Sequence, residues 1–208
     1  MKPRIIITVI TFLATSLFSY SQQSIGDIVY LLKPDRVFDG EEMHEGWQVL
    51  VSHGKIEAAG VLRTVPRSAV VIELKGCTLL PGLIDGHSHL FLHPYNETPW
   101  EDQVLKESRA ERTARAVNHA KATLAAGFTT VRDLGTEGAQ YDDVGLKVAI
   151  NKNIIPGPHV LTSTRAIVVA GTYAPKSASP DVVLPQGAAE AGSMEELSRE
   201  VRTQIGRG

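Results

Sequence analysis

Three polar side chains spaced two apart could hold and orient a metal ion. They are Asp85, His87 and His89, within Leu80-Pro81-Gly82-Leu83-Ile84-Asp85-Gly86-His87-Ser88-His89-Leu90. In a β-strand, side chains at i and i+2 point to the same face. His87 and His89 therefore aim two imidazoles at one point. Asp85 lies on that face one step earlier, where a carboxylate could orient or supplement the histidines. Imidazole nitrogen suits Zn, Fe, Ni or Cu, and a catalytic site takes several protein ligands and leaves one position open. A bare His-x-His arises by chance on any polar strand, so the setting carries the weight.

The setting is that of a strand end. Pro81-Gly82 punctuates the chain just before the pair. Leu83-Ile84 is uncharged, as expected for a buried parallel strand. The polar trio then falls where β/α barrels keep their chemistry. Downstream, strand and helix alternate, which implies a parallel sheet. Thr98-Pro99-Trp100-Glu101 reads as a helix start with Thr98 as N-cap, running to Ala126 with Gly127 as the stop. Ala110, Ala114, Val117, Ala120 and Leu124 form its apolar stripe. Phe128 to Val131 reads as a second strand, Tyr141 to Asn151 as a helix, and His159 to Leu161 as the start of a third strand. A loop rich in Ala, Pro, Gly and Ser spans roughly Ala166 to Gly192. Ser193 then caps a last helix, with Glu196 three residues on and Met194, Leu197, Val201 and Ile205 on one face.

Upstream, residues 22–80 read as short strands without helices between them: Asp27 to Leu32, Gln48 to Val51, Lys55 to Ala59 and Ala69 to Leu74. A turn at Ser52-His53-Gly54 joins the middle two. This pattern predicts part of a small β-sandwich. Residues 1–21 read as a signal peptide: basic Lys2 and Arg4, an uncharged run from Ile5 to Phe18, and Ser19-Tyr20-Ser21 before the cut. The run is shorter than the roughly 18 residues a spanning helix needs. The mature protein is thus expected to be exported, periplasmic or secreted, with no stable membrane span. Without residues 1–21, 19 basic residues face 23 acidic ones, and no basic block remains for nucleic acid. Cys77 is the only cysteine, so no intrachain disulfide can form; beside an apolar run, it reads as a small buried hydrophobe.

Pro81-Gly82-Leu83-Ile84-Asp85-Gly86-His87-Ser88-His89 resembles the first-strand signature of the metal-dependent amidohydrolase superfamily. Ala125-Ala126-Gly127-Phe128-Thr129-Thr130-Val131-Arg132-Asp133-Leu134-Gly135 is similar to the second-strand signature of its imidazolonepropionase-like and Xaa-Pro dipeptidase branch. Pro156-Gly157-Pro158-His159-Val160-Leu161 resembles that branch's third-strand entry. The resemblance implies an α/β fold: a (β/α)8 TIM-type barrel preceded by a small β-sandwich. It implies a divalent metal, zinc first, with one or two ions in the complete protein and His87 and His89 as ligands of the more buried one. It implies hydrolysis of a C–N bond in an amide, cyclic amide or dipeptide-like substrate by a metal-activated water. The family's bridging lysine, later histidines and general-base aspartate end the fourth, fifth, sixth and eighth strands.

A β/α barrel needs about 250 residues, and Pro81 to Gly208 provides 128. Three βα units are therefore expected in 81–208, as a truncated barrel with little or no turnover of its own. A catalytically dead metal-binding or scaffold protein of the same shape is the competing reading; a metal-handling protein whose His-x-His is the whole site is a third. His93 and Tyr95, on the loop after the first strand, and Tyr173, on the loop after the third, are candidate substrate contacts. Arg132 and Asp133 end the second strand as a structural pair. His44, His53, His119 and His159 read as structural or solvent-facing. Homo-oligomerisation is left open.

Overall fold

β1 (Tyr30–Phe38) organises the N-terminal unit, in a computed structural model that describes residues 28–208 apart from positions 175, 177, 178, 180, 185 and 186. The leader expected at residues 1–21 lies outside the described residues. Two antiparallel partners share one edge of β1. Tyr30 to Leu32 pairs with β3 (Gln48–Ser52), and Arg36 to Phe38 with β2 (Met43–Glu45). The other edge takes β5 (Val70–Leu79) in parallel. β3 turns into β4 (Lys55–Gly60) through His53 and Gly54, whose φ values of 50° and 71° suit a two-residue hairpin. Leu31, Val37, Val49 and Leu50 are buried on this sheet. Cys77 is exposed, against expectation. It lies on a marginal strand paired only with β1 among the described residues, where side chains from Val70 to Glu73 are also open.

The chain divides into two compact units between Leu80 and Pro81. The second unit carries β6 (Leu83–Ser88), β7 (Phe128–Asp133) and β8 (His159–Thr162), all parallel, in the order β6-β7-β8. Between them come α1 (Trp100–Lys106), α2 (Arg109–Ala125) and α3 (Asp142–Asn151). This is a mixed α/β fold with the strand–helix rhythm of a TIM-type barrel. Its core joins Leu90, Phe91, Ala116, Val131, Ala139, Leu146 and Val160, with Val117, Phe128, Ile150 and Ile155 packed around it. Burying one such Val or Leu fully is worth about 1.5–3 kcal/mol.

Five expectations change. The helix expected from Thr98 to Ala126 is two helices, broken at Glu107, whose ψ of 130° is extended. Ser108 caps α2 by accepting from the Glu111 N–H at 3.2 Å; Thr98 caps nothing, and Pro99 takes the N-cap position of α1. The buried stripe of α2 is Arg112, Ala116 and Ala120, one residue every turn, while Ala110 and Ala114 face out. The loop after β8 contains a short parallel pair, β9 (Ile167–Val169) and β10 (Ala189–Ala191). Finally, α4 (Met194–Arg207) has the expected cap, with Ser193 accepting from Glu196 N–H at 3.2 Å, but its Met194 and Ile205 are 75% exposed.

Candidate metal centre

β6 delivers the two histidines. Its register with β7 pairs Asp85 with Val131 and Ser88 with Asp133, so His87 lies on the last turn of pleat and His89 just beyond it. The Nε2 atoms of His87 and His89 are 3.3 Å apart. The rings are tilted by 60° with centroids 5.3 Å apart, converging through their nitrogens and not stacking. Two imidazole nitrogens bound about 2.05 Å from one zinc ion at a tetrahedral angle stand about 3.3 Å apart. The pair therefore fits a chelated divalent cation without rearrangement.

The second ring nitrogen of His89 is also committed. Its Nδ1 lies 2.9 Å from the Gly135 carbonyl oxygen, which can only accept. Nδ1 must carry the proton, leaving the Nε2 lone pair for a ligand bond. Gly135 reaches this position with φ of 139°, a conformation that costs glycine little. The Glu137 carboxylate stands 3.9 Å from the same Nδ1 and accepts from Trp100 Nε1–H at 3.2 Å. Burial raises the Glu137 pKa, opposed by the Trp100 N–H and the charges of His89 and Arg112.

Asp85 does not reach the imidazoles. Its Oδ1 accepts the backbone N–H of His87 at 3.0 Å, so it shapes the strand end and leaves the rings to other partners. Arg132 and Asp133 do not pair either. Adjacent strand residues face opposite ways: Arg132 donates from Nε to the Gly86 carbonyl at 2.9 Å, while Asp133 is fully buried with neither carboxyl oxygen in a hydrogen bond. Burial and then the charge of Asp143 push the Asp133 carboxyl up to about 8; the nearby Gly135 and Leu90 amides hold it down only partly.

The three candidate substrate residues separate. Tyr95 is 58% exposed and lines a shallow depression with His89, Leu92, His93 and Pro94. Burial and then the Glu137 charge raise its phenol pKa. The His93 side chain is buried. Its Nε2 meets Glu107 Oε1 at 2.8 Å, and its backbone N–H donates to Gln103 at 3.0 Å. It braces the loop from beneath. Tyr173 packs edge-on against Trp100, with ring centroids 5.6 Å apart, and its hydroxyl is buried without a partner. His119 donates from Nδ1 to the Leu90 carbonyl at 2.8 Å, and His44 stacks on Trp47.

Glu137, Trp100 and Arg112 escaped the sequence reading. Glu137 sits two residues past Gly135, in a tight turn with φ of 51° that no apolar pattern marks. Arg112 is 2% exposed; its place at i−4 from Ala116 and i−8 from Ala120 was the available signal, hidden by its charge.

The amidohydrolase family matches residues 78–206 of this sequence, a span that holds both histidines and all three parallel strands. The chain belongs to the amidohydrolase family. It is a family of hydrolytic enzymes, and relatives of this amidohydrolase carry such names. A dihydroorotase from Syntrophus aciditrophicus (strain SB) is 44% identical over 62 residues, 29% of this chain and 15% of that protein. A solved amidohydrolase structure superimposes with TM-score 0.67 at 27% identity, covering 86% of this chain and 45% of its own. A Xaa-Pro dipeptidase with methionine bound in its active site gives TM-score 0.72 at 23% identity, again over 86% of this chain and 45% of that one; at that identity the likeness speaks for the fold. The amidohydrolase chain thus spans less than half the length of each of these proteins.

Proposed function

We propose that this amidohydrolase chain supplies the first two metal ligands, His87 and His89, of a hydrolase that cleaves C–N bonds. The observation that carries the reading is the 3.3 Å approach of the two Nε2 atoms, with the far nitrogen of His89 fixed on Gly135. A divalent metal held there, zinc foremost, supplies Lewis acidity and lowers the pKa of a water toward neutrality. The chain's own residues do the rest of what is described. His87 and His89 bind and fix direction. Gly135 sets the tautomer. Tyr95 and Leu92 wall the depression beside His89, and Trp100 and Tyr173 stand behind Glu137.

The names of the relatives suggest two substrate classes: a cyclic amide, from the dihydroorotase, and a dipeptide ending in proline, from the dipeptidase. Among the described residues no group of three or more His, Cys, Asp or Glu could hold a metal ion. Two imidazoles are fewer than the three protein ligands a catalytic zinc site takes; we therefore expect little or no turnover by the 208-residue chain itself, with a non-catalytic metal-binding protein of the same shape as the second reading. Export directed by residues 1–21 belongs to the same proposal, and the mature protein would begin at Gln22. Among the described residues no helix is long and apolar enough to cross a membrane.

Zinc titration of the chain, followed through the histidine ring resonances, tests the site. His87 and His89 should shift together, and His87→Ala should abolish the response at His89. An unchanged zinc response in that variant would remove the ligand assignment. Assay of the same chain on dihydroorotate and on Xaa-Pro dipeptides separates the readings, since rapid hydrolysis of either would overturn the expectation of low turnover.

A further inference from the structure

Arg112 is a cation buried inside α2 without a carboxylate among its hydrogen-bond acceptors. All three of its acceptors are backbone carbonyls. Nε donates to Phe91 at 3.2 Å, one terminal nitrogen to Glu137 at 2.7 Å and the other to Thr136 at 2.7 Å. Phe91 belongs to the loop after β6, and Thr136 and Glu137 to the loop after β7. A planar guanidinium offers five donors in a rigid fork, so one side chain fixes both loops at once. Packing alone would be served by an aliphatic residue at this position, as Ala116 and Ala120 serve the next two turns. The buried charge is retained where its donors are used.

The loops it fixes are the ones that set His89. Thr136 follows Gly135, whose carbonyl accepts the His89 Nδ1–H. The peptide that carries this carbonyl is held at its other side, where the Thr136 N–H donates to the Thr164 carbonyl at 2.9 Å. Arg112 fixes the next two carbonyls, at Thr136 and Glu137. From the other side, Phe91 lies two residues after His89, so the same guanidinium also holds the chain that leaves the histidine. We propose that Arg112 is a positioning residue: through the Thr136 and Phe91 carbonyls it holds Gly135 against His89 and so locks the imidazole in its Nδ1–H tautomer, ready to bind a divalent cation through Nε2. The cation-binding half of this statement rests on the proposed function above; the tautomer half stands on the hydrogen bonds alone.

Long-range proton–nitrogen NMR of the histidine rings reads the tautomer directly, and zinc ion is the metal probe. In the unsubstituted chain His89 should be the Nδ1–H form. Arg112→Ala should move it toward a mixture of tautomers and weaken zinc binding about tenfold, the low end of what loss of an orienting partner does to a metal site. Millimolar guanidinium should restore both, and Arg112→Lys should recover them only in part. Arg115→Ala, about one helical turn away, where the side chain pairs with Glu111 and makes no bond to either loop carbonyl, should change neither. A folded Arg112→Ala chain with unchanged tautomer and zinc affinity would overturn the proposal. So would an Nε2–H form of His89 in the unsubstituted chain, a result that needs no variant to fold. If His87→Ala leaves zinc binding intact, the metal reading fails while the tautomer measurements still decide the role of Arg112.

Discussion

His89 reaches 46 residues along the chain to place its Nδ1 2.9 Å from the Gly135 carbonyl, while the ring of His87 meets only its near neighbour, with its Nε2 3.3 Å from that of His89. The two imidazoles that converge on one point are therefore held unequally. His87 is exposed and meets only the His89 ring; His89 is part-buried and tied to the loop after β7.

That asymmetry separates stability from binding. His87→Ala should change unfolding free energy by less than about 0.5 kcal/mol, as exposed substitutions do. His89→Ala should cost about 1–2 kcal/mol, because it strands a carbonyl acceptor. Urea titration of both variants checks this, and equal costs would count against the Gly135 anchor.

Asp133 makes stability depend on pH. Its carboxyl titrates near 4 in the unfolded chain and at about 8 in the folded one. Below about 4 both states are protonated, so the group adds no slope. Between the two values the unfolded state has lost a proton that the folded state keeps, and stability falls by up to about 1.4 kcal/mol per pH unit. Above about 8 the slope vanishes again. Asp133→Asn should flatten this descent and leave the variant the more stable protein at pH 8. Urea midpoints measured from pH 4 to 9 would show it, and parallel curves for the two proteins would refute the assignment.

Ser108 starts a helix of its own. Ser108→Ala removes the acceptor for the Glu111 N–H and should cost about 1 kcal/mol, whereas Thr98→Ala should cost far less because that residue caps nothing. Thermal unfolding of the two variants ranks them directly.

Cys77 should react with a thiol reagent in the native protein, with one equivalent labelled before unfolding begins. Labelling only after denaturant is added would contradict the exposure of β5 at that position.

Much of the second unit was legible because its signals are local. Apolar runs after Pro81-Gly82 and Gly127 give β6 and β7, and Ser193 with Glu196 gives the start of α4. The convergence of His87 and His89 followed from the two-residue period of a strand. What escaped was decided by distant partners. The charge of Arg112 hides its place on the buried face of α2 until three carbonyls from two loops surround it. His93 reads as a rim residue until Glu107 turns it inward. The break between α1 and α2 was nearly legible, since Ser108 and Glu111 form the spacing of a capping box, but the stronger start at Thr98-Pro99 hid it. The β9–β10 pair joins segments separated by a loop rich in Pro, Gly and Ser, and three-residue strands leave little periodicity to detect.

α4 has a well-formed cap yet buries none of its side chains. Its attachments include a Gln204 bond to the Arg165 carbonyl at 2.9 Å, a Glu200–Arg165 pair at 4.0 Å and the Arg207 guanidinium over the Tyr141 ring. Amide protons there have little packing to shelter them, whereas those around Val131 and Val160 lie in the centre of the core. In deuterium oxide the last helix should therefore exchange through local fraying, many times faster than β7 and β8. The chain carries its own internal clock, slow at this sheet and quick at the helix that follows it.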